Sequence, residues 1–239
     1  MGSSSVPLFD WGRSHEEARG AWQGFLWTPR FFVPLVGKLK AYFLATAHHL
    51  EDLGDFGQGY ASMLALSGLE PRGLFTVAEL RRVVHRLPSD GLAKVAHAVA
   101  DFQIGAGETG SEYWMNRTSP FFRDVWPKSA DRKSPQVSHA LARICVAAGS
   151  SFQHAFDQLS DWLVRDDNAG LAVVELAKSR HCVNYPETAL AFLLAIVGDH
   201  WPPTSLADCL NQIRSAKPAL ATTPEYDRLE RLLKAWGRT

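Results

Sequence analysis

FFRDVWPKSADRKSPQVSHALARI, residues 121–144, carries the signs that decide the fold. Trp126-Pro127 closes one helix, because proline disfavours helical backbone at the residue before it. Ser134-Pro135 opens the next, setting a hydroxyl at the N-cap and a fixed φ at the first helical position. From there Val137, Leu141, Ile144 and Ala148 fall on one stripe of a helix, and Phe152, Phe156, Leu159 and Leu163 form a second stripe directly after it. Two short amphipathic helices in succession need neighbours to hide those stripes.

The same grammar extends outward. Ser14 with Glu17 and Thr76 with Glu79 spell capping boxes, the latter flanked by Phe75 and Leu80 in the positions of a hydrophobic staple. Thr28-Pro29, Ser119-Pro120 and Thr223-Pro224 repeat the hydroxyl-proline start. As dipeptides these also look like phosphorylation sites, but capping explains every instance. Period-two alternation is scarcely found. The pattern predicts helices over 14–27, 30–51, 56–68, 77–87, 91–104, 119–126, 135–149, 151–164, 170–182, 186–197, 205–216 and 224–236. In the second half they begin roughly every 16–20 residues, the spacing of stacked antiparallel helix pairs. The fold class is therefore all-α: an irregular helical bundle or a solenoid resembling a helical repeat. The glycine-rich GAGETGS, 105–111, marks a composition shift. It divides the chain into an N-terminal helical group at 1–104, a linker at 105–118 and a C-terminal group at 119–239.

Composition narrows function. With 25 basic and 25 acidic residues the net charge is zero, so no global field holds a polyanion or an acidic membrane. Any nucleic-acid contact must be a local patch. Cys145, Cys182 and Cys209 lie in apolar helical stretches, which fits reduced thiols in a cytoplasmic protein. MGSSSV lacks the basic and apolar regions of a signal peptide and misses the myristoylation pattern at Val6. The apolar run from Phe31 is broken by Pro34, Gly37, Lys38 and Lys40, too interrupted to span a membrane.

Several motifs invite chemistry. GAGETG fits the letters of the dinucleotide fingerprint, but a helix precedes it where the phosphate-cradling turn requires a strand. His48, His49, Glu51 and Asp52 crowd a predicted helix end, where two ligands on one turn can begin a metal site. Lacking a visible second pair, they read as a solvated terminus, with no metal or other cofactor expected. Arg81, Arg82, His85 and Arg86 form a basic strip on a capped helix; without a helix-turn-helix partner it reads as a solvated face. Lys128, Arg132 and Lys133 stand ahead of a helix N-terminus beside Trp126, and these four, aided by Arg81 and Arg82, are the candidate residues for binding nucleic acid, another anion or a protein partner. Free N–H groups and three cations there suit a phosphate or an acidic partner, whereas Asp124 and Asp131 offset them in a plain surface connection.

Arg132 and His139 are similar in spacing to the Arg-x(4–6)-His pattern of a family of small helical ribonucleases. That likeness implies histidine handling the 2′-hydroxyl proton and arginine the phosphate. A broader resemblance runs from Pro120 onward. PFFRDVWPKSADRKSPQVSHALARICVAAGSSFQHAFDQL and the ending WPPTSLADCLNQIRSAKPALATTPEYDRLERLL resemble helical C-terminal regions of large bacterial anti-phage proteins, including sirtuin-like defence proteins. Trp201, Pro202, Leu206, Leu210, Ile213, Ala216, Pro218, Leu220, Pro224, Tyr226, Arg228 and Leu229 keep the cadence of that ending. The resemblance implies a non-catalytic scaffold or sensor that meets a protein partner or the rest of a multidomain chain. It implies no catalytic residue in this stretch.

Overall fold

Helix follows helix through the described residues, 6–27, 33–70 and 74–237, of this computed structural model. The first half holds α1 (His15–Leu26), α2 (Val33–Ala45), α3 (Gly57–Leu69), α4 (Val77–Val84), α5 (Ser89–Gly105), α6 (Gly110–Tyr113) and α7 (Ser119–Asp124). The second holds α8 (Pro135–Ala147), α9 (Phe152–Leu159), α10 (Gly170–Lys178), α11 (His181–Asn184), α12 (Pro186–Ile196), α13 (Leu206–Ala216) and α14 (Pro224–Ala235). Among the described residues no strand forms, and one isolated bridge joins Asp166 to Val197. The fold is all-α. No helix among them is long and apolar enough to cross a membrane.

The caps account for many of the starts. Ser14 accepts from Glu17 N at 3.4 Å, Ser134 from Val137 N at 3.3 Å and Thr223 from Tyr226 N at 3.3 Å. Thr76 and Glu79 complete a reciprocal box, with bonds of 2.8 and 3.2 Å running both ways. Each such cap satisfies a backbone N–H that the helix leaves orphaned, worth about 1 kcal/mol. The start read at Thr28-Pro29 lies outside the described residues.

Three readings need correction. Ser119 caps nothing, because a π-helical turn over Trp114–Thr118 runs straight into α7 and leaves no terminus there. Its hydroxyl donates instead to Gln158 Oε1 at 2.7 Å. The widened turn also accommodates Pro120, which lacks an N–H for the regular ladder. The helix expected over 30–51 gives way at Ala45 to 3₁₀ turns over Thr46–His49 and Glu51–Phe56. Gly54 kinks the second turn at φ 56° and ψ −128°, a conformation costly for any residue with a Cβ. The segment 105–118, read as a linker, is mostly helical and carries the fully buried Trp114.

By contacts the chain falls into two units, residues 1–99 with 120–128 and residues 100–119 with 129–239. In the first, Trp22, Phe43 and Tyr60 are fully buried. Phe43 lies 4.6 Å from Tyr60 and 5.9 Å from Trp22 between ring centroids. Tyr60 spends its hydroxyl on Phe43 O at 2.8 Å, and burial pushes its pKa up. In the second unit α8 packs on α9 and α10, α10 on α13, and α13 on α11, α12 and α14. The stripe of Val137, Leu141, Ile144 and Ala148 is wholly buried there. Each large aliphatic contributes roughly 1.5–3 kcal/mol by leaving water.

Candidate functional site

The residues that the sequence singles out as a docking patch are mostly committed to the fold. Trp126 is buried, with its ring 5.2 Å from Phe122 and 6.4 Å from Phe121, so it offers no surface to a partner. That corrects its reading as a binding residue; an aromatic beside proline looks the same in sequence whether it points in or out. Lys128 donates to Phe122 O at 3.1 Å, placing a cation on the carbonyl end of α7. It belongs to the first unit, whereas Arg132 and Lys133 belong to the second. Arg132 is half-buried on a 3₁₀ turn over Ala130–Arg132, and Lys133 is exposed. Asp131 accepts from Ser129, which together with neighbouring Arg132 holds its carboxyl below the ordinary range.

The basic strip of α4 has a similar fate. Arg81 Nε donates to Asp124 O at 2.7 Å and so ties α4 to α7. Arg82 and Arg86 face solvent and line a cleft of about 280 Å³ with His48, Glu79 and Val83. That volume is at the small end for ligand pockets. Glu79 sits lower than an ordinary carboxyl because Lys40 bonds it at 2.8 Å and the Thr76 backbone N–H adds another bond.

His139 lies with Nε2 2.6 Å from Asp166 Oδ2, close but not aligned for a regular hydrogen bond. Asp166 Oδ1 meanwhile accepts from the backbone and side-chain nitrogens of Asn168, each at 3.3 Å. Its own backbone meets Ile196 O and Gly198 N across the isolated bridge. The carboxylate thus organises a turn, and His139 completes its shell.

Packing accounts for the last glycine of GAGETG. A Cβ on Gly110 would stand 2.3 Å from Ala147 O, so only glycine lets the start of α6 approach the end of α8. The buried Gln103 fixes that approach, donating to Gly110 O at 2.7 Å and to Ala147 O at 3.1 Å.

The constellation that sequence reading missed is in the first unit. His15, the first residue of α1, brings Nε2 to 3.1 Å from Asp52 Oδ1. His49 brings Nδ1 to 3.2 Å from Asp52 Oδ2. Trp11 stands behind both rings. It stacks on His49 at 4.3 Å and 11°, and meets His15 edge-on at 5.0 Å. Its indole N–H donates to Thr46 Oγ1 at 2.9 Å, and that hydroxyl donates to Tyr42 O at 2.8 Å. Burial raises the Asp52 pKa, but hydrogen bonds and charge from His15 and His49 outweigh it and leave the carboxyl low. In sequence only His49 and Asp52 were visible as neighbours. His15 joins them through the fold, and its sole local mark was its place behind the Ser14 cap.

No family model matches the chain, and no solved structure matches it. It is similar to the uncharacterized protein y4cA of Sinorhizobium fredii, 24% identical over 164 residues covering 61% of this chain. The chain spans 14% of that relative's length.

Proposed function

We propose that the chain is a non-catalytic helical interaction module, a scaffold or sensor within a larger prokaryotic antiviral defence assembly. One observation carries the interaction reading. Trp201 and Trp236 pair at 4.3 Å between ring centroids while remaining 51% and 45% exposed. Trp236 is held in place by donating to His200 O at 2.6 Å. Large aromatics fixed at a surface are what protein partners use as anchors. Trp201 also opens the cadence that resembles the ends of anti-phage proteins, which supports the defence setting. The match to a short part of a much longer bacterial chain supports a role as one piece of an assembly.

The second reading, a ribonuclease using Arg132 and His139, draws support from the carboxylate at 2.6 Å that could orient the imidazole. Asp166 already serves Asn168 in a turn, so the module reading is favoured.

The test is co-expression with the products of neighbouring genes or the remainder of its reading frame. A complex that survives size exclusion is expected, with Trp201→Ala and Trp236→Ala each weakening it about thirtyfold, the loss typical of an interface anchor. The variants should remain folded by circular dichroism. Affinity unchanged from wild type in both variants would reject the aromatic pair as the anchor. RNA cleavage by the wild type that disappears in His139→Ala would replace the module with the enzyme.

A further inference from the structure

We infer that His15, His49 and Asp52 form a binding site for one divalent transition-metal ion of the zinc class. The three donor atoms all lie within 4.8 Å of one another. Around a tetrahedral ion with bonds of about 2.0–2.1 Å, ligand atoms stand ~3.3 Å apart. Each imidazole nitrogen stands near that distance from one oxygen of Asp52, His15 Nε2 at 3.1 Å from Oδ1 and His49 Nδ1 at 3.2 Å from Oδ2, so a carboxylate binding through one oxygen keeps one separation and turns slightly to set the other. An ion further requires that the facing nitrogens turn lone pairs inward in place of N–H groups. Each neutral imidazole does this by moving its proton to the other ring nitrogen.

Geometry beyond the donors supports the assignment. A chance ion pair uses one imidazole; here two imidazoles from different elements address opposite oxygens of one carboxylate. His15 is fixed by the start of α1, while His49 and Asp52 lie on successive 3₁₀ turns, the second of them kinked by Gly54. The stacked Trp11, buried and tethered to Thr46, sets the plane of His49 as the shell around a metal site orients its ligands. Two nitrogens and one oxygen favour zinc, nickel, cobalt or copper over magnesium or calcium, which prefer all-oxygen shells. His15, His49 and Asp52 keep 55%, 32% and 37% of their side chains exposed, so water has room to complete the coordination.

The ion would tie the start of α1 to the turn after α2. Because the ligands meet only in the folded chain, binding stabilises that chain.

The experiment uses the untagged full chain, stripped with a chelator and titrated with zinc chloride by calorimetry. One equivalent per chain in the micromolar range or tighter is expected. His15→Ala and Asp52→Asn should weaken binding at least tenfold, whereas His48→Ala and His200→Ala should not. Cobalt(II) gives a second readout: its visible absorption in the wild type should be lost in His49→Ala. Melting of the metal-free variants checks that they are folded. Uptake confined to millimolar zinc, or undiminished in His15→Ala and Asp52→Asn, overturns the site. So does a loss of the same size in His200→Ala. None of these outcomes depends on the Trp201–Trp236 surface.

Discussion

Thr118 Oγ1 donates to Gln103 Oε1 at 2.7 Å, at a point where both residues are fully buried. The amide nitrogen of Gln103 meanwhile holds the carbonyls of Gly110 and Ala147. One side chain thus satisfies two buried groups of the second unit, the Thr118 hydroxyl and the Gly110 carbonyl, and with them the part-buried carbonyl of Ala147. Gln103→Leu keeps the volume and removes every bond. Each buried group left without a partner costs on the order of 1–3 kcal/mol. With two such groups, a fall in melting temperature of at least about 4 °C is expected, at about 2–4 °C per kcal/mol for a chain of this size. Calorimetric melting of the variant checks it, and an unchanged transition would show that the hub carries no load.

Glu79 is both the returning arm of the capping box and the partner of Lys40. The Lys40 bond, then the Thr76 backbone bond, hold its folded pKa below the ordinary 4.5. With the folded value depressed, the unfolded chain takes up the proton first as pH falls. The stabilisation is therefore complete above pH 4.5 and disappears as pH drops through the folded value. Glu79→Gln should differ from wild type at neutral pH and converge with it in acid. Thr76→Ala should cost about 1 kcal/mol at neutral pH through loss of the cap.

His181 sets a second, higher pH window. It stacks on Phe152 at 4.6 Å and 5°, and Nε2 donates to Val146 O at 2.9 Å. Burial pushes its pKa below 6.5, with the bond to Val146 opposing in part. Below pH 6.5 the unfolded chain is therefore protonated before the folded one, and stability falls. His181→Gln can reach the same carbonyl without titrating. Melting temperatures between pH 7 and about 5 should decline more steeply in wild type than in the variant. Parallel curves would place the acid sensitivity elsewhere.

What the sequence made legible was local. Ser134, Thr76 and Thr223 cap where their spacing predicts, because a cap is decided within four residues. Ser119 carried the same signature and failed, since the residues before it are themselves helical and the serine has no end to cover. The stripe from Val137 to Ala148 was equally readable, being a matter of period. His15 and Asp52, 3.1 Å apart, were not. Nothing between them in the chain signals the meeting, which is produced by the packing of α1 against the 3₁₀ turn at Glu51–Phe56. Trp126 failed in the opposite sense: its neighbours Lys128 and Arg123 are exposed, so the local composition is that of a surface although the ring is inside.

Gly110 offers a direct test of why glycine is required at the start of α6. Were the motif a phosphate cradle, its replacement would be felt in ligand binding. Packing instead sets a backbone carbonyl, Ala147 O, 2.3 Å from where a Cβ would stand, and Gln103 Nε2 at 3.5 Å. A carbonyl at the end of α8 cannot swing aside as a flexible side chain can, so Gly110→Ala must push α6 away and stretch the Gln103 bonds. Overpacking of this kind costs typically 1–3 kcal/mol. Gly105 has open space around its Cβ position and a helical backbone, so Gly105→Ala should be neutral or slightly stabilising. Chemical denaturation of the two variants side by side checks the contrast. Equal stability of Gly110→Ala and wild type would mean that the approach of α6 to α8 is looser than these contacts require.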